Sequence, residues 1–296
     1  PTRPDLVRML PPYAHGQATS HSYLNRNKQS VTLDLKDPQS IEVGKQKIAD
    51  YDVVVEQFRP GVMQRLGLDY AALAEIHPGL IYCSITGYGQ TGAYKDKAGH
   101  DINYVALSGI AGHSGRAESG PPPLGIQIAD VAGGSLHAVI GILTAVIERQ
   151  KSGLGQYIDI SMTDCAVGLN NMAAAAVLAG SQKQQPEQEH LNGGTFYDYY
   201  TTLDGRYLSI GSLEPQFMTG LASTLELPIL MQKGTSFDAE DRQAVKDAIR
   251  QKIKTKTWAE WKTIFSSLDV CVEPVMHLDE ALNSDLAQQR GWVVDV

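Results

Sequence analysis

Cysteine is scarce in this 296-residue chain. Cys83, Cys165 and Cys271 are odd in number and far apart, which excludes a disulfide framework or a zinc ribbon and points to a reducing cytosol or organelle matrix. Lysine and arginine form no tract. With 25 of them against 33 Asp and Glu the formal charge is −8, so neither nucleic acid nor an anionic membrane is expected as a partner. One anionic ligand in a locally basic pocket stays compatible with that balance. No apolar run reads as a membrane span, because the most apolar stretch, Leu124 to Ile147, is interrupted by Gln127, Asp130 and His137. There is no Walker loop, no metal-spaced His/Cys/Asp cluster, no Gly-x-Ser-x-Gly elbow and no internal repeat, and Gly87 to Gly92 is a weak dinucleotide fingerprint. The chain starts Pro-Thr-Arg-Pro, with no initiator Met and no signal-like segment, and both ends read as interior points of a longer protein.

What is present is 43% hydrophobic and 20% charged residues, an ordinary globular composition at a length that suits two domains. Ser30 to Leu35 alternates like a strand, and Asp37 is positioned to cap a helix from Pro38 to about Ala49. The β-branched run Asp52 to Glu56, a turn at Arg59-Pro-Gly, a helix over Tyr70 to Ile76 and the apolar strand Leu80 to Ile85 follow. Apolar strands alternating with helices predict a parallel sheet covered on both faces, with ligands beyond the carboxyl ends of its strands. Gly125 to Ile128 is β-like, Ala129 to Arg149 is helical, Gln156 to Ile160 is a strand and Met162 to Gly180 is helical. A Gln-rich linker over Ser181 to Glu189 leads to a hairpin around Asp204-Gly205, helices at about 238–254 and 257–267, and a short strand from Cys271 to Val275.

Three side chains stand out chemically. Asp130 lies just before Gly133-Gly134 at a helix start, where a carboxylate feels the helix dipole and glycines admit a ligand; a capping aspartate is the commoner explanation of such a position. His100, in a loop beside Asp101, can exchange a proton near neutral pH, although a surface or capping histidine is again the commoner case. Glu214, just past a predicted strand, reads by default as a solvated carboxylate.

The segments Asn25-Arg-Asn-Lys-Gln-Ser-Val-Thr-Leu-Asp-Leu-Lys36, Val55-Glu-Gln-Phe-Arg-Pro-Gly61, Ile85-Thr-Gly-Tyr-Gly-Gln-Thr-Gly92 and Ala98-Gly-His-Asp-Ile-Asn-Tyr104 together resemble the class III CoA-transferase superfamily and, within it, the alpha-methylacyl-CoA racemases. Leu191-Asn-Gly-Gly194, Leu213-Glu-Pro-Gln-Phe217 and Asp269-Val-Cys-Val-Glu-Pro-Val275 extend the likeness over almost the whole chain. The resemblance implies an α/β fold, with a doubly wound, Rossmann-like large domain over 1–180 that lacks its first βα unit. It further implies a linker over 181–195, a small α+β domain over 196–280 and a return toward the large domain over 281–296, in an interlocked homodimer. It implies an acyl-CoA substrate and no cofactor beyond the CoA moiety, no metal, and a cytoplasmic or organelle-matrix location. The racemase reading assigns His100 and Asp130 as the two bases that move the alpha proton, Glu214 as the group that orients the imidazole, and the backbone N–H of Asp101 as the enolate's partner. CoA would be held by Leu33, Asp34, Leu35 and Lys36, by Arg59 and Arg65, and by the loop Gly99, His100, Asp101, Ile102, Asn103 and Tyr104. Many relatives carry Arg where Gln29 stands, which weakens one expected contact. The alternative on the same scaffold is CoA transfer to a free carboxylate through an anhydride and thioester on Asp130; His100 and the Glu-Pro-Gln-Phe loop favour the racemase.

Overall fold

The computed structural model describes residues 4–180 and 183–294, so Ser181 and Gln182 of the predicted linker lie outside the described residues. Two compact units form, Pro1–Ala98 with Asp130–Cys165 and Gly99–Ala129 with Ala166–Val296. The chain therefore passes between units at 98/99, 129/130 and 165/166, whereas the sequence suggests a large domain over 1–180, a linker over 181–195, a small domain over 196–280 and a return over 281–296. Hydrogen bonds that composition cannot reveal hold the second unit's two pieces together. His113 Nε2 lies 3.0 Å from Asn170 Oδ1, and the Asn192 side-chain amide donates to the His113 carbonyl at 3.0 Å.

In the first unit, a two-residue ribbon of β1 (Tyr13–Ala14) and β2 (Gln17–Ala18) precedes a parallel sheet of β3 (Val53–Glu56), β4 (Ile81–Thr86) and β5 (Tyr157–Ser161). The order is β3-β4-β5, with Val53 opposite Ile81 and Tyr82 opposite Tyr157. Central β4 is apolar because it is covered on both sides. Its neighbours Tyr82 and Cys83 point to opposite faces, Tyr82 into a cluster with Leu68, Leu73, Ile41 and Ile48, and Cys83 into one with Ala138, Ile142 and Ile160. The helices Pro38–Ile48 and Tyr70–Ile76 thus pack on one face and His137–Ser152 on the other. Asp37 accepts hydrogen bonds from the Gln39 and Ser40 amides, as its capping position predicts. Gly155 is required where the chain returns to the sheet, since a Cβ there would overlap the Leu80 carbonyl.

Four local expectations change. Ser30 to Leu35 forms no strand: no described segment pairs with it, Leu35 packs beside Ile41, Leu33 lies against the helix at Gly44, and Val31 is left 61% exposed. Apolar alternation here serves packing on a helix rather than a ladder. Gly125 to Ile128 is also not extended into a strand. The helix from Ala129 begins as eight residues of π-helix, Ala129–Leu136, before continuing as α-helix over His137–Ser152, so Asp130 lies inside the first turn rather than at a cap. The stretch from Met162 divides into Met162–Leu169 and Asn171–Leu178 at Asn170, whose ψ of 27° leaves helical geometry.

In the second unit, β6 (Asp198–Thr201) and β7 (Tyr207–Ile210) form the expected hairpin, and β8 (Val272–Pro274) pairs antiparallel with the other edge of β7. Phe196, Tyr200, Leu208, Ile210 and Val272 meet Leu221, Leu225, Ile249 and Trp261 from the helices Pro215–Leu225, Ala239–Ile253 and Trp258–Phe265. The first of these helices starts on Pro215, a residue suited to the first helical position, where the sequence suggests only a loop.

A buried charge cluster ties this unit to its flanking segments. Asp198 receives two hydrogen bonds from the Arg116 guanidinium, at 2.8 and 2.7 Å, and an ion pair from Lys246 at 3.1 Å; Arg116 also reaches Glu187 at 2.9 Å. Burial pushes the Asp198 carboxyl up, but the Arg116 hydrogen bonds, the Tyr199 amide and Lys246 more than reverse this and hold it below its ordinary 3.8. A carboxylate with a depressed folded-state pKa adds stability above its unfolded value and loses it as pH falls. Urea titration of Asp198→Asn is expected to show a loss of about 3 kcal/mol, the penalty for breaking a buried pair. Wild-type stability should decline below about pH 4 with a slope that Asp198→Asn reduces; equal slopes would contradict the assignment.

Candidate functional site

The segment Gly99–Tyr104 is fixed at both ends. His100 is extended (φ −131°, ψ 174°) and precedes the helix Asp101–Leu107; its N–H donates to Asn103 Oδ1 at 3.0 Å, and the Tyr104 hydroxyl donates to the Gly99 carbonyl at 2.7 Å. Its backbone is held while its imidazole stays exposed. Asp101 opens the helix and its carboxylate accepts the Ala129 N–H at 2.7 Å. Ile102 and Asn103 are exposed on this helix, whereas Tyr104 is buried.

Asp130 is half-buried in the π-helix, and its carbonyl accepts the Ser135 hydroxyl at 3.2 Å. A π turn is wider than an α turn and occurs often at functional sites. Two contacts support this one: His137 Nδ1 lies 2.6 Å from the Ala132 carbonyl, and Gly134 backs onto Met162, whose Cγ would stand 3.1 Å from a Cβ. The glycine is there because the helix lies tight against that side chain. His100 and Asp130 belong to different units.

Arg59 and Arg65 flank one turn of the first unit. Gly61 takes a positive φ of 78°, and Arg65 Nη1 lies 3.3 Å from where its Cβ would be, so the glycine both turns the chain and leaves room for the guanidinium. Arg59 lines a cavity of about 280 Å³ beside Glu56, Gln90 and a trio of tyrosines, Tyr70, Tyr82 and Tyr157, whose ring centroids lie 5.8 to 6.2 Å apart. The cavity reaches Glu56, the last residue of β3, and runs along Tyr82 and Ser84 of β4 and Tyr157 of β5. Gln90 Nε2 is buried there without a hydrogen-bond partner, as is the Thr86 hydroxyl at the end of β4. An unpaired buried donor is costly and marks a place where a ligand acceptor would be favourable. Burial pushes the Tyr157 hydroxyl above its ordinary pKa and the neighbouring Cys83 thiol up to about 11, so neither ionises near neutrality. Leu33 to Lys36 precede the helix Pro38–Ile48; the Lys36 amide donates to Asp34 Oδ1 at 3.0 Å, which shapes the turn and leaves the Lys36 side chain exposed.

Glu214 caps the helix Pro215–Leu225 through its backbone, and its exposed carboxylate has no hydrogen bond to His100 within the described chain. It lies near Cys271, whose thiol is raised by burial and then by the Glu214 charge. Cys271 in turn lines the largest described cavity of this unit, about 780 Å³, with Leu124, Leu191, Tyr197 and Ile210. One wall is the Arg116–Asp198 pair, which carries no sequence signal because its partners are 82 residues apart. Gln90, by contrast, sits within a glycine-rich loop that the sequence does single out. Among the described residues, no three His, Cys, Asp or Glu side chains gather as a metal site requires.

Known proteins resemble this chain in sequence and in fold. The family model for CoA-transferase family III matches residues 1–296. Alpha-methylacyl-CoA racemase from Mus musculus is 39% identical over 281 residues, covering 93% of this chain and 72% of that protein. Human succinyl-CoA:glutarate CoA-transferase is 29% identical over 291 residues, covering 97% and 66%. A crystal structure of a CAIB/BAIF family protein from Brucella suis superimposes with a TM-score of 0.82 at 28% identity, covering 98% of this chain and 78% of that one.

The Asn103 side chain is the tie that the histidine's backbone depends on. Asn103→Ala is expected to cost roughly 1 kcal/mol, the usual worth of a capping interaction. Hydrogen exchange should report it as faster opening confined to the first turn of Asp101–Leu107, and unchanged exchange there would show that the contact does not hold the loop.

Proposed function

The chain belongs to CoA-transferase family III, and from that premise we propose that it epimerises 2-methylacyl-CoA thioesters by proton transfer at the carbon alpha to the thioester. The observation that carries the proposal is a histidine, His100, held by its backbone with its imidazole open to solvent, in a chain 39% identical to a racemase of that name. Inversion requires a base on one face of the alpha carbon and an acid on the other, because a single group returns the proton to the face it left. His100 and Asp130 take these roles: one removes the alpha proton as the thioester becomes an enolate, and the other delivers a proton to the opposite face. The Asp101 backbone N–H, at the start of its helix, stabilises the enolate oxygen. Each residue ends the cycle in the other's protonation state, and solvent exchange resets them.

Arg59 and Arg65, with the unpaired Gln90 amide, supply donors for the phosphates and polar groups of CoA on a chain that is acidic overall. The apolar side of the 780 Å³ cavity suits an acyl chain. No group beyond the CoA of the substrate is needed, and three unpaired cysteines suit a reducing cytosol or organelle matrix. We place two copies in a homodimer. The helix His137–Ser152 leaves Val139, Ile140, Leu143 and Ile147 more than half exposed along one stripe, which a second copy would cover. Such an assembly also gives the Glu214 carboxylate a route to a histidine it does not bond within one chain.

Relatives named CoA-transferases support a second reading, in which Asp130 acts as a nucleophile and CoA moves to a free carboxylate. Proton NMR of a 2-methylacyl-CoA in deuterated water separates the two. Loss of the alpha-proton signal is expected with the wild type, slowed about 100-fold or more in both His100→Ala and Asp130→Ala, the usual worth of a general acid or base. Transfer of CoA to an added carboxylate that needs Asp130 but not His100, with no alpha exchange, would establish the transferase instead.

A further inference from the structure

We infer that the side chain of Asp101, and not only its backbone, is a positioning group for the proposed reaction: by accepting the Ala129 N–H it fixes the first peptide of the π-helix that carries Asp130. The bond is 2.7 Å long and joins residues 28 apart. A carboxylate acceptor makes it a charge-assisted bond, shorter and stronger than its neutral counterpart. Ala129 is completely buried, so water does not compete for its amide. The first amides of a helix have no partner within the helix, and an unpaired buried amide is costly, so Asp101 supplies what the fold needs at that point. A π-helix is a rarely adopted form that depends on its surroundings, and here the Asp101 carboxylate holds the amide of its first residue.

The consequence follows from chain connectivity. His100 is the residue before Asp101 and Asp130 is the residue after Ala129, so one hydrogen bond ties together the two stretches that carry the proposed bases. Asp101 itself exchanges no proton in this scheme. Its removal misplaces a reacting group without removing one, which lowers kcat.

The inference rests on the proposed epimerisation, and the test separates the two. Asp101→Ala and Asp101→Asn are compared, the second retaining a side-chain carbonyl that can accept the same N–H. Hydrogen exchange read by mass spectrometry on peptides spanning 126–137 is expected to be about ten-fold or more faster in Asp101→Ala, the loss of one hydrogen bond to a charged group. Asp101→Asn should fall between the two. In alpha-proton exchange, Asp101→Ala is expected to lose about 100-fold in kcat, and Asp101→Asn to recover most of that loss. Unchanged hydrogen exchange, a rise in KM with kcat preserved, or no recovery in Asp101→Asn would each overturn the inference. A wild type that exchanges no alpha proton would overturn the epimerisation, and hydrogen exchange at 126–137 would then decide the Asp101 inference by itself.

Discussion

The Ala129 amide and the Asp101 carboxylate close a long excursion of the chain through its second unit. That closure meets two requirements of different kinds. The fold needs a partner for a buried amide at the head of a helix, and the proposed chemistry needs Asp130, the next residue, to keep one orientation. Because Ala129 is wholly buried, the bond cannot be exchanged for one to water without cost, so the geometry of the loop and of the helix start rise and fall together. The rest of the loop repeats the pattern at smaller scale: Asn103 holds the His100 amide and Tyr104 holds the Gly99 carbonyl, leaving the imidazole exposed on a fixed backbone.

Charge is distributed in this protein by task. The ion pairs around Asp198 join buried Lys246 and the part-buried Arg116 and Glu187, from separate parts of the chain, to one strand. The groups assigned to chemistry, His100 and Asp130, are exposed or half-buried and lie outside that network. The cations assigned to CoA stand six residues apart on either side of Gly61, whose positive φ turns the chain between them. An acidic chain can therefore hold an anionic ligand without a basic face, provided its few cations are placed by the backbone.

The parallel sheet was legible in the sequence because its central strand β4 is buried on both faces and largely apolar, flanked by the β-branched β3 and by β5, whose exposed positions include Val55 and Asp159. The hairpin of β6 and β7 was legible through Asp204-Gly205, and the helix Pro38–Ile48 through Asp37. Ser30 to Leu35 misled because alternation reports a buried side and an exposed side, not whether a neighbouring strand exists to complete a ladder. The π-helix at Ala129 was hidden because it depends on contacts from Asp101, Met162 and His137 rather than on propensity. The passages between units were hidden for a related reason: the bonds of His113, Asn170, Asn192 and Arg116 link positions dozens of residues apart and leave no local pattern. His100, Asp130 and Glu214 stand out in the sequence by residue type and position, but their proposed roles come from family resemblance, since each alone reads as a cap or a solvated side chain.

The central claim is that two different residues act on opposite faces of one carbon, and stereochemistry tests it most directly. A single enantiomer of a 2-methylacyl-CoA is given to the wild-type enzyme in deuterated water, and deuterium is located in each enantiomer during the first few per cent of turnover. The two-base account predicts that deuterium enters the inverted enantiomer first. Deuterium that first enters molecules of unchanged configuration would contradict it, because that outcome requires one group to take and return the proton on the same face.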